Sequence, residues 1–168
     1  MIKRFWDPDG KYTHGFLREY QNWVLEVSYR QHTLGCYSIF SKGCVEGFSQ
    51  MPSIGAVELT RVMRDIERAL KINNNFGPST FNYLQIADRS RFLRIHGIPR
   101  YHLPRDFAGR VWEDSASGDP PSWAYEDSPH DLVELIRDEL KRSLEEVISS
   151  HGSAGGSILR FVPRRNRR

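Results

Sequence analysis

A chain of 168 residues, with 39% hydrophobic and 12% aromatic side chains, is long enough for one soluble domain with a real core. No apolar run approaches the ~18 residues that span a bilayer. The opening MIKRFWDPDG carries charges in place of an apolar stretch, so no membrane span and no export signal are expected. The net charge of +3 is small and excludes a uniformly basic surface.

The two cysteines, Cys36 and Cys44, make no disulfide framework, and without an export signal they are expected reduced, in the cytoplasm. With no Cys-x-x-Cys or His-x-x-x-His pair, no metal site and no cofactor are expected.

Residues 1–20 read as an irregular or short-stranded lead-in, with a turn at Asp7-Pro8-Asp9-Gly10. Residues 23–29 (WVLEVSY) alternate apolar and polar, which predicts a half-buried strand. Residues 34–40 (LGCYSIF) predict a second strand, turned by Ser41-Lys42-Gly43. Ser53 is placed to cap a helix. Leu59, Val62, Met63, Ile66 and Leu70 give that helix one apolar face, and the run Asn73 to Pro78 stops it. Residues 81–86 and 91–98 predict two more strands, the second ended by Pro99. Residues 101–127 are rich in Pro, Gly, Asp and Ser, with Trp112 and Trp123 embedded; they predict an ordered excursion held by its aromatics. Ser128-Pro129 opens a last helix, with a stripe of Leu132, Leu135, Ile136, Leu140, Leu144, Val147 and Ile148. His151-Gly152 and a Ser/Gly run close it. The last nine residues, 160–168, begin at Arg160 and hold five arginines and no acid. Such a tail is a solvated terminus, or a weak contact for nucleic acid through counterion release.

The segment from Asn82 to Tyr101, NYLQIADRSRFLRIHGIPRY, is the most informative. It resembles the histidine-triad signature, whose bacterial versions read roughly N-Y-x-x-x-G-N-x-x-P-H-L-H-W-H-V-I-P-R-Y. The two align without a gap. Asn82, Tyr83, Leu93, His96, Ile98, Pro99, Arg100 and Tyr101 match, while Phe92 and Arg94 stand at the first two histidines. Thr33-Leu34-Gly35-Cys36 with Ser38 to Lys42 is similar to the family's early strand, with Cys36 at a common histidine and Ser41 at a common proline. Trp112 resembles a tryptophan that follows the triad. The resemblance covers about residues 20–113.

The resemblance implies an α+β fold, an antiparallel sheet of about five strands with flanking helices and a C-terminal helix. It implies one domain over residues 1–150, with 151–168 as a flexible basic tail, and a homodimer. In the family the middle histidine attacks the α-phosphate of a nucleotide. Arginine cannot, because its guanidinium stays protonated and offers no lone pair. Arg94 is thus a candidate static phosphate contact, beside His96, the surviving triad member and the one candidate catalytic group. Strand alternation sets Phe92, Arg94 and His96 on one face, where Phe92 narrows the pocket. The resemblance adds Asn82 near the nucleoside end and Asp88 at the family's phosphate-positioning asparagine, with Lys42 beside the early strand. An acid at Asp88 repels phosphate unless an arginine neutralises it.

Three readings follow. The favoured one is a degenerate triad protein that binds a nucleotide or other phosphorylated ligand without the family's chemistry. The second is a hydrolase or transferase that uses His96 and Arg94 by another route. The third is an interaction module with a vestigial pocket.

Overall fold

The computed structural model describes residues 13–43, 45–86 and 92–153. The expected turn at Asp7 to Gly10, Cys44, Asp88 and the basic tail lie outside them. Seven strands and two helices follow in order: β1 (Phe16–Glu19), β2 (Trp23–Val27), β3 (Tyr37–Ser41), α1 (Ser53–Ile72), β4 (Thr80–Gln85), β5 (Arg94–Arg100), β6 (Arg105–Phe107), β7 (Arg110–Trp112) and α2 (His130–Ser153). The first five strands form one antiparallel sheet in the order β1-β2-β3-β5-β4. This is the expected α+β architecture.

Strand periodicity sorts the side chains onto two faces. Trp23, Leu25 and Val27 of β2, Tyr37 and Ile39 of β3, and Ile95 of β5 join the core under the helices. From α1 come Leu59, Val62, Ile66, Ala69 and Leu70; from α2 come Leu132, Val133, Ile136, Leu140, Leu144 and Val147. The α2 stripe differs from expectation at one place. Leu135 is 51% exposed, and Val133, fully buried, joins the core in its stead. The helix also runs to Ser153, past the expected stop at His151-Gly152.

Two boundary expectations are corrected. Ser53 is the first helical residue of α1, and the capping position belongs to Pro52, which makes no side-chain cap bond. Pro99 does not end β5, which continues to Arg100. The ladder to β3 stops at Gly97, opposite Tyr37. Beyond it, the Pro99 carbonyl accepts the Thr33 hydroxyl at 2.5 Å, so the proline lies where no strand neighbour requires an N–H.

Residues 101–127 hold a hairpin that the sequence reading did not anticipate. β6 and β7 are joined by Ala108-Gly109, both at positive φ (52° and 73°), the geometry of a tight two-residue hairpin turn.

The β3–β5 pairing depends on one missing side chain. Tyr37 lies opposite Gly97, and its ring occupies the space that a Cβ at Gly97 would need. The phenol then reaches the Tyr83 hydroxyl of β4 at 2.9 Å. Gly97→Ala should push the ring out of a close-packed site and lower stability by about 1–3 kcal/mol. The urea midpoint reports this; an unchanged midpoint would show that the ring moves freely.

Candidate functional site

The sheet's second face carries Val24 and Glu26 from β2, Ser38 and Phe40 from β3, and Arg94, His96, Ile98 and Arg100 from β5. Most of it is covered: Val24, Glu26, Ser38, Phe40, Ile98 and Arg100 are buried. The expected half-buried β2 is therefore buried on both faces, and its single acid lies inside.

Arg100, 4% exposed, organises the cover. Its Nε donates to Asp114 Oδ2 at 2.6 Å and its Nη2 to Asp114 Oδ1 at 3.1 Å. Further bonds go to Asn82 Oδ1, to the Ala116 carbonyl, and to the Asp119 carbonyl at 2.9 Å. The Tyr101 N–H also donates to Asp114. Arg100 and the Tyr101 N–H hold the Asp114 carboxyl below the usual carboxylate range, against the opposing pull of burial.

The far end of the excursion is tied to the loop after β2. Ala124 N–H donates to His32 Nδ1 at 2.8 Å, and Trp123 stacks on the His32 ring at 4.0 Å. Arg30 pairs with Asp127 at 3.1 Å, and Ser128 N–H donates to the Tyr29 carbonyl at 2.7 Å. Trp123 thereby lies edge-on to His96, with ring centroids 6.4 Å apart.

His96 is half-buried, and Ser38 Oγ lies 3.4 Å from its Nδ1. Burial first, then the charges of Arg94 and His32, push its pKa down to about 4; a backbone bond at Ile86 acts in the other direction. At neutral pH the ring carries no charge. Arg94, also half-buried, donates from Nη2 to the Ile86 carbonyl at 3.2 Å.

The structure thus brings Arg94 and His96 together on β5, as the strand spacing requires. Phe92 is buried but precedes β5 at a bend, so it is no member of the strand row. Asn82 accepts from Arg100 and lines a cleft of about 480 Å³ with Leu84, Arg100, His102, Ser117 and Asp119. Lys42 is directed elsewhere, pairing with Glu19 at 2.5 Å and donating to the Tyr20 carbonyl. The Cys36 thiol is buried against Thr33, and burial pushes its pKa up. Among the described residues no group of His, Cys, Asp or Glu gathers to hold a metal, and no helix is long and apolar enough to cross a membrane.

Sequence pattern gives Glu26 and Ser38 no site role, leaves His32 without motif support, and gives Trp123 only a packing role. Glu26 is 2% exposed, and its Oε1 has no hydrogen-bond partner among the described residues. Burial alone raises its pKa to about 8. The signal was present as a lone acid inside WVLEV, but alternation reads such an acid as facing water.

These two shifts act on stability in opposite directions. The folded state holds the Glu26 proton above the ordinary carboxylate value of 4.5, so folding loses stability as pH rises from about 4.5 to 8. It refuses the His96 proton, so stability is lost as pH falls from 6.5 to about 4. Where the windows overlap the two slopes offset. Glu26→Gln removes the first alone. The variant should match the wild type near pH 4.5 and exceed it by a few kcal/mol at pH 8, in denaturant titrations across pH. Parallel pH profiles would show that the Glu26 carboxyl is solvated.

No protein-family model matches the sequence, and no curated protein does. Solved structures match by fold. A hypothetical histidine triad nucleotide-binding protein from Sulfolobus tokodaii superposes with a TM-score of 0.60 at 17% identity, over 84% of this chain and 91% of that one. A zinc-bound histidine triad family protein from Mycobacterium smegmatis gives 0.59 at 15%, over 80% and 86%. A Hit-like protein involved in cell-cycle regulation from Bartonella henselae gives 0.56 at 12%, over 76% and 85%. Element order, sheet register and these likenesses together give the chain the histidine triad fold.

Proposed function

We propose that this chain binds a nucleotide or another phosphorylated ligand on the second face of its sheet, without the covalent step of the histidine triad enzymes. The observation that carries the reading is Arg94, a half-buried cation on β5 that the resemblance aligns with the family's middle histidine, beside a His96 that is uncharged at neutral pH. A guanidinium supplies paired N–H donors and a permanent charge, which suits phosphate recognition, and it has no electron pair for attack on phosphorus. Partial burial strengthens such a contact by weakening solvent screening. His96 next to it offers a neutral donor or acceptor. The Sulfolobus tokodaii neighbour, called nucleotide-binding, supports the nucleotide form of this ligand.

A ligand that binds only the folded state raises its stability by mass action. At one hundred times Kd this amounts to about 2.7 kcal/mol. For a chain of this size that is a melting-temperature rise of roughly 5–10 °C. Thermal melts against mononucleotides, dinucleoside polyphosphates and sugar nucleotides should find such a rise, and Arg94→Ala should abolish it. A rise unaffected by Arg94→Ala would place binding elsewhere. No rise with any member would favour a vestigial pocket and a role in protein interaction.

A further inference from the structure

The outward face of α1 presents a row of positive charge. The helix, SIGAVELTRVMRDIERALKI, holds four cations and three acids. At about 100° per residue, Arg61, Arg64, Arg68 and Lys71 fall in one stripe roughly 80° wide, opposite the core positions Val62, Ile66 and Leu70. All four cations are exposed.

The acids of α1 are engaged with the fold instead. Glu58 accepts the Gln21 N–H at 3.0 Å and the Asn22 N–H at 2.6 Å. Glu67 accepts the Tyr83 hydroxyl of β4 at 2.5 Å. Asp65 is fully buried and accepts the Tyr20 hydroxyl at 3.3 Å; it reaches the stripe through Arg61, 3.9 Å away. Lys71 lies over the Phe81 ring at 5.4 Å, a contact that keeps its charge. The helix thus spends its carboxylates inward and turns its cations to solvent.

The form of the stripe selects its partner. A second copy is disfavoured, because a two-fold contact through this face sets the same four cations against each other. A bilayer surface is disfavoured too. The apolar face of α1 is the protein core, and the exposed aliphatic residues, Ile54, Val57 and Ile72, stand only at the two ends of the helix. Single-stranded nucleic acid is held by aromatic stacking platforms, and α1 contains no aromatic residue. What remains is a straight, rigid row of charge. From Arg61 to Lys71 it rises about 15 Å, the axial length of roughly four phosphates on one strand of a B-form duplex. Three of its four cations are arginines, whose paired N–H donors match phosphate oxygens.

We propose that the exposed face of α1 docks on the phosphate backbone of duplex DNA, without reading its sequence. The site is separate from the sheet face that carries Arg94. The stripe offers charge and no amide or hydroxyl to discriminate bases, so binding is uniform across sequences and falls steeply with salt.

Fluorescence anisotropy of a labelled duplex, titrated with the full chain across about 50–200 mM salt, tests this; each phosphate contact adds about −0.9 to the slope of log affinity against log salt. Arg64→Ala with Arg68→Ala should weaken binding roughly tenfold or more at the low-salt end and flatten the slope by about 1.8. Lysine at both positions keeps the charges and should hold the slope within about 0.5 of wild type. Both side chains are exposed, so the melting temperatures of the two variants should stay near that of wild type. An alanine pair that leaves affinity and slope unchanged would overturn the inference and move the contact to other cations, such as the arginines of residues 160–168. Wild-type protein that binds no duplex at the low-salt end, or that binds single strands or polyglutamate more tightly than duplex, would overturn it as well.

Discussion

Arg100 places a full positive charge on the covered face of the sheet, and the shape of that face follows from how the charge is met. A buried charge left alone would be strongly destabilising; an arginine whose donors are matched by a carboxylate and backbone carbonyls is tolerated. Asp114, Asn82, Ala116 and Asp119 meet it. To do so, residues 114–119 must lie against β4 and β5. Pro120 and Pro121 carry the chain onward to Trp123, which the His32 ring and the Ala124 N–H hold beside His96. One ion pair at the end of β5 thus determines how dry the histidine becomes.

Desolvation then sorts the polar groups on this face. It leaves Arg94 charged, since a guanidinium does not give up its proton, and it keeps His96 neutral and Glu26 protonated. A catalytic triad needs an imidazole that attacks and then leaves. This face instead sets the fixed charge of Arg94, at the other end of β5 from the Arg100–Asp114 pair, among neutral hydrogen-bonding groups.

Much of the fold was legible because it is written in local patterns. The α1 face, the α2 stripe and the breakers around Gly77 and Pro78 all read directly, and the segment ending in His96-Gly97-Ile98-Pro99-Arg100-Tyr101 set the site strand. The site was legible only along that strand. Arg94 and His96 could be paired by spacing, but Glu26 and Ser38 reach them through cross-strand register, which no local pattern encodes. Leu135 and Glu26 failed for the same reason in opposite directions. Periodicity assigns an apolar residue inward and a charged one outward, whereas the packing of a second layer decides. Lys42 and Asn82 were plausible as ligand contacts by position, Asn82 at the nucleoside end, but the structure gives the first to Glu19 and the second to Arg100. The hairpin at Ala108-Gly109 escaped notice because alanine at positive φ carries no turn signature.

The proposed binding of a phosphorylated ligand on this face, without reaction, has a direct test. Phosphorus NMR of a nucleoside monophosphate with stoichiometric protein at pH 7 tests both halves at once. The phosphate resonance should broaden or shift and keep its integral over hours, with no new phosphorus signal. Growth of a product or phosphohistidine resonance would contradict the loss of covalent chemistry, and a resonance that the protein leaves untouched would contradict the phosphate site itself.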